Sequence, residues 1–163
     1  MKIETRQKSP KFSLAHKDER IVELVNKTDH TTLALWAIDC AEHVMPYFEE
    51  KYPEDNRPRK AIEALQKWIR TGTFKMADVR KASLAAHTAA REVGEDNAAR
   101  SVARAAGQAV ATAHVPTHSI GAANYALQAI YRAAASDAEA AVAKERDWQY
   151  QHLLRLRGKL VPE

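Results

Sequence analysis

Leu33-Ala34-Leu35-Trp36-Ala37-Ile38-Asp39-Cys40-Ala41-Glu42-His43-Val44-Met45-Pro46-Tyr47-Phe48 is the stretch that decides the fold class. Leu33, Trp36, Ala37, Cys40, Val44 and Tyr47 recur at helical spacing, and Ala34, Ile38, Ala41, Met45 and Phe48 form a second apolar row beside them. A helix that is apolar over most of its circumference belongs at the centre of a fold, with other helices around it. The flanking sequence supplies them. A first helix is expected over about 18–27, with Ile21, Leu24 and Val25 on one side, and Asp29 caps the central one. Beyond a loop at 53–58, Asp55 or Asn56 caps a third helix, and Pro58 occupies a position where a missing amide is harmless. Ala61, Ile62, Leu65, Trp68 and Ile69 form its buried stripe, and Gly72 ends it. Further helices are expected over about 77–93, 97–114 and 116–135, and a last one starts at the capping box Ser136-Asp137-Ala138-Glu139. The class is all-α, with about seven helices and no strand.

Between residues 77 and 143, 25 of 67 residues are alanine, so little side-chain bulk separates neighbouring helices there. Gly107 and Gly121 point the same way, because a helical glycine costs about 1 kcal/mol relative to alanine unless packing uses the space. A compact alanine-rich antiparallel bundle fits this pattern. So does a short stack of helical hairpins, since AAHTAAREV, AAGQAVATAHV and GAANYALQAI look alike. At 163 residues the chain suits a single domain. Residues 1–16 form a basic irregular arm around Pro10 with Lys2, Arg6, Lys8 and Lys11, 17–157 the helical body, and 158–163 a tail.

Lys and Arg number 25 against 21 acids, and the resulting +4 is spread along the chain, which is weak evidence for nucleic acid. The longest uncharged run, 105–131, is interrupted by Gln108, His114, Pro116, His118, Asn124 and Gln128, and it does not read as a membrane span. One cysteine, Cys40, cannot make an internal disulfide, and the opening residues do not read as a secretory leader. A cytoplasmic setting is expected.

Candidate chemistry is sparse. Asp39, Glu42 and His43 cluster on the central helix, where Asp39 stands in the place a zinc protease of inverted motif would fill with histidine. On a helical projection Thr32, Asp39, Glu42, His43 and Glu50 make one polar stripe, and an ordinary surface pair accounts for the acid four residues before the histidine. His87 aligns with Arg80, Ser83 and Arg91 as a solvated stripe. His114 projects with Ala103, Gly107 and Val110, a partly buried position, rather than with the polar row Ser101, Arg104, Gln108 and Thr112. His118 aligns with Tyr125, Gln128 and Arg132, a row that faces water or binds an anionic group. Asp39, His43, His87, His114, His118 and Tyr125 are therefore the candidate binding residues. No catalytic triad, paired zinc cysteines, phosphate loop or aromatic-basic platform is present, so no metal, no cofactor and no catalytic residue is assigned.

If successive helices run antiparallel, the loops after the second, fourth and sixth share one end. They hold Glu49, Glu50, Glu54 and Asp55, then Glu92, Glu95 and Asp96, then Asp137 and Glu139, diluted by Arg57, Arg59 and Lys60. The opposite end gathers Lys27, His30, Arg70, Lys75, His114, His118, Arg155, Arg157 and Lys159. A molecule with an acidic and a basic end is expected.

The string from Trp36 to Pro46, followed by Asp55-Asn56-Arg57-Pro58-Arg59-Lys60-Ala61-Ile62, resembles a family of bacterial helical immunity proteins of the toxin-immunity type. Ala85-Ala86-His87, Ala111-Thr112-Ala113-His114-Val115 and Gly121-Ala122-Ala123-Asn124-Tyr125-Ala126 are similar to the same family, over residues 30–135 in all. What the resemblance implies is a non-catalytic protein that binds a cognate toxin and neutralises it, with the acidic end as the toxin-facing surface if the toxin is a nuclease with a basic groove. It carries over no established site residues. Other readings are a small helical enzyme or metal-binding protein using the histidine and aspartate cluster, and a nucleic-acid binder using the basic arm and the carboxy-terminal helix. Trp148, Leu153 and Leu156 on the last helix suit either a homodimer face or packing back onto the domain.

Overall fold

Asp29 begins the central helix by accepting the Thr32 amide at 3.0 Å, and the rest is assembled around that helix. The computed structural model describes residues 12–159. Lys2, Arg6, Lys8 and Lys11 of the basic arm and residues 160–163 of the tail lie outside the described residues. Eight helices, and no strand, are found among those described: α1 Glu19–Asn26, α2 His30–Val44, α3 Pro46–Glu49, α4 Arg57–Thr71, α5 Met76–Glu92, α6 Ala98–Ala111, α7 His118–Ala133 and α8 Ala138–Lys159. The chain is all-α, as its spacing requires. No helix among the described residues is long and apolar enough to cross a membrane.

The extra helix comes from Pro46. Periodicity alone carries the central helix through Phe48, but proline has no amide to donate. α2 therefore stops at Val44, and α3 restarts with Pro46 in its first turn, where that amide is not needed. The break turns Tyr47 toward solvent while Phe48 stays buried. At the far end of α4, Gly72 adopts a left-handed φ of +68° and its amide returns to the Trp68 carbonyl at 2.8 Å. The start of α8 is also shifted from its expected place. Asp137, at φ +47°, accepts the Ala140 amide at 3.2 Å, so the cap is Asp137 rather than Ser136.

α2 packs against α3, α4, α6, α7 and α8. Its Leu33, Trp36, Ala37, Cys40, Ala41 and Val44 are almost wholly buried, in one apolar cluster with Ile62, Leu65 and Phe48. The Trp36 indole N–H donates to the Gln149 carbonyl at 2.9 Å, and the Gln149 amide donates to the Ala123 carbonyl at 3.0 Å. Buried Gln149 thus ties α8 to both α2 and α7. On α8, Leu153 is fully buried, and Trp148 and Leu156 are partly buried where they pack against the core.

α5, α6 and α7 form a second layer, with α6 in extensive contact with both neighbours. Alanine makes it thin, but the glycines do not bring backbones together. A Cβ on Gly107 would sit 2.7 Å from the His87 ring, and one on Gly121 would sit 2.6 Å from the Gln108 side chain. Each glycine is a berth for a polar side chain from the adjacent helix.

Candidate functional site

The six candidate residues fall into three places. On the α2–α8 face, the His152 Nε2–H donates to Asp39 Oδ2 at 2.6 Å, and the His43 Nδ1–H donates to Glu145 Oε1. Trp148 lies between the two imidazoles, its ring 3.8 Å from that of His43 and 4.8 Å from that of His152, both nearly parallel. The ladder runs Asp39, His152, Trp148, His43, Glu145. Both acid–histidine pairs join different helices, so Asp39 and His43 do not pair along α2. Glu42 turns instead to Arg59 of α4. Glu145 is buried and the His43 side chain is 45% exposed, leaving one aromatic edge in solvent. Among the described residues no three His, Cys, Asp or Glu side chains are grouped to hold a metal ion.

The second place is a polar seam where α5, α6 and α7 meet. His87 Nδ1 accepts from the Arg104 guanidinium at 2.8 Å, which puts the neutral ring's proton on Nε2 over Gly107. Ser83 donates to the Gly107 carbonyl at 3.1 Å. Burial, and then the charges of Arg104, Arg91 and His118, push the His87 imidazole below its ordinary value. His87 and Ser83 therefore face α6 and do not belong to a solvated stripe, while Arg80 and Arg91 remain exposed.

On α7, the His118 Nδ1–H donates to Gln108 Oε1 at 2.9 Å, and burial followed by the His114 charge lowers His118 as well. Ser101 donates to Gln128 at 2.8 Å and accepts from Arg132 at 3.1 Å. The row Ser101, Arg104, Gln108 and Thr112 thus faces neighbouring helices, and Ser101 and Thr112 are fully buried. His118 and Tyr125 line one open groove of 520 Å³, together with Leu14 and Lys17 of the N-terminal segment and Asn26 of α1. Phe12 of that segment lies 5.8 Å from the Tyr131 ring of α7.

His114 stands apart in the third place. α6 ends at Ala111, so His114 sits in the following turn, exposed rather than partly buried, with its ring 5.8 Å from that of Phe74. The histidines do not converge on one enclosed cavity. His43, His87 and His118 each pair with a side chain of a neighbouring helix.

The charged loops do share ends. Lys51 bonds to Glu95 at 3.1 Å and Arg57 bridges Asp55 and Glu92, which joins the loop before α4 to the loop after α5. Arg59 pairs with Glu42 and Glu49, and Arg100 and Arg132 pair with Asp96. Arg57 holds the Asp55 and Glu92 carboxyls below their usual range, and Lys51 does the same for Glu95. Of the seven acidic-end candidates, Glu50 and Glu54 are the two outside ion pairs among the described residues. At the opposite end His30 donates to the Thr112 carbonyl at 2.5 Å and packs on Trp68, and Arg157 donates to the Lys27 carbonyl at 3.3 Å.

Sequence reasoning missed Glu145 and His152. Their spacing around Trp148, three residues on one side and four on the other, was the available signal, since it sets all three on one face of α8.

Compared with known families, the chain matches the family described as Imm-5 like putative immunity protein over residues 23–156, from the first helix nearly to the end of α8. No curated protein and no solved structure matches it.

Proposed function

The chain belongs to the Imm-5 like immunity protein family, and from that membership we propose that it binds a cognate bacterial toxin and neutralises it. The family match along most of the helical body is the observation that carries this reading. The geometry fits a binder that acts by its surface. Its helices are tied across the core by Trp36 and Gln149, and such a scaffold loses little freedom on association. Neutralisation is by a stoichiometric protein complex without catalysis by this chain, and the site of action is the cytoplasm. The partner is a protein, with neither nucleic acid nor a membrane required.

The test is co-expression with the product of the adjacent gene. Growth in the presence of that product is expected to depend on this chain, and the two should co-purify as a 1:1 complex with a Kd of about 1 nM or below by titration calorimetry. Failure of both protection and binding would remove the reading.

A further inference from the structure

Every residue from Arg70 to Asp78 is exposed, and the run contains Phe74 and Met76. On the adjoining outer face of α5, Met76, Arg80, Lys81 and Leu84 line a shallow groove. Phe74 is 41% exposed, Met76 43% and Leu84 56%, a concentration of the large exposed apolar side chains at one corner of the molecule. Scattered exposed apolar residues need no explanation, but a contiguous set rimmed by charge marks an interaction surface.

The rim has one sign. Between residues 64 and 84 the cations are Lys67, Arg70, Lys75, Arg80 and Lys81, and the single acid is Asp78. None of the five cations makes an ion pair among the described residues. Free cations around an apolar centre keep their charge available for a partner, whereas most acids of the opposite end are already paired within the chain. Apart from the His114 ring beside Phe74, nothing in the described fold covers this corner.

We infer that the α4–α5 corner is the docking surface for the partner protein, and that the partner presents an acidic rim around an apolar knob that seats against Met76 and Leu84. This rests on the immunity reading and narrows it, because a surface of this sign is repelled by the basic groove of a nuclease. The toxin surface engaged here is acidic, and association is fastest at low salt.

The experiment titrates the purified product of the adjacent gene into the full chain and three double variants. Arg80→Glu with Lys81→Glu tests the rim, Met76→Asp with Leu84→Asp tests the centre, and Glu50→Lys with Glu54→Lys tests the opposite end. All six positions are on the surface, and unchanged thermal unfolding checks that each variant folds. The first two variants are expected to lose about 100-fold in affinity and the third to bind as the wild type does. Wild-type affinity in the first two, or loss confined to the third, overturns the assignment while leaving the immunity reading intact. Absence of wild-type binding removes both. Sedimentation of the wild type as a dimer that Leu84→Asp dissociates would assign the corner to a second copy of this chain, and loss of RNA or anionic-vesicle binding in Arg80→Glu with no loss of toxin binding would assign it to those surfaces; either overturns the proposal.

Discussion

The two ends of this molecule carry opposite charge and treat it in opposite ways. At one end, Arg57, Arg59, Lys51, Arg100 and Arg132 spend their charge on Asp55, Glu92, Glu42, Glu49, Glu95 and Asp96, which fastens the loops around α4 and α5 to the helices beside them. At the other, Lys67, Arg70, Lys75, Arg80 and Lys81 stand unpaired beside exposed Phe74, Met76 and Leu84. Formal charge counted along a sequence shows neither arrangement. The two ends differ in how much field they project, because paired charges cancel nearby and unpaired ones do not.

The comparison supposes that the layer between the ends is rigid, and the largest effect tests that. Gly107→Ala places a Cβ 2.7 Å from the His87 ring, and the overpacking is expected to cost about 1–3 kcal/mol in urea denaturation. A neutral result would mean that His87 moves freely and that the ends are not held in a fixed relation. The next effect separates the ends directly. Arg59→Ala removes the cation shared by Glu42 and Glu49 and is expected to cost about 1 kcal/mol, at the upper limit for a partly exposed network, while Arg80→Ala is expected to change stability by less than about 0.5 kcal/mol. Equal losses would erase the distinction between a paired and a free end.

Acid should dismantle the molecule in an order set by the same contrast. His87 and His118 lie below their ordinary value, so near pH 6.5 the unfolded chain binds more protons than the folded one. The stability they contribute is complete above roughly that pH and is lost as pH falls below it. Asp55, Glu92 and Glu95 are depressed carboxyls, so their contribution is lost only below the ordinary carboxylate range of about 4. Thermal unfolding should therefore show a first decline below roughly pH 6.5 and a second below about pH 4; a flat profile from 7 to 5 would contradict the role given to the seam. The smallest effect is that of salt. Raising it to about 0.5 M shortens the screening length to near 4 Å, which should speed amide exchange in the loop at 50–56 and slow it slightly at 72–76, where repulsion among cations is relieved.

Much of the fold was legible because it is written locally. Asp29, Asn97 and Gly72 sit where a cap or stop is required, and the all-round apolar surface of α2 could only mean a central helix. The break at Pro46 was visible in the sequence, but the strong apolar period across it concealed the stop. The candidate site was less legible, because a helical projection says which residues share a face and not what that face meets. The polar row of α6 reads as solvent-facing until α7 supplies Gln128, Arg132 and His118. Asp39 and His43 look like neighbours along one helix until α8 brings His152 and Glu145 to them. Partners more than a hundred residues away leave no mark in the local pattern.

The position of Trp148 has an optical consequence. Indole emission depends on what the ring touches and on its access to water, and Trp148 is stacked on two imidazoles while Trp36 lies buried away from solvent and Trp68 rests on a third ring, that of His30. A chain keeping only Trp148 would change its emission as α8 lifts from α2 and both stacks are lost, so the molecule carries a built-in lamp for the docking of its last helix.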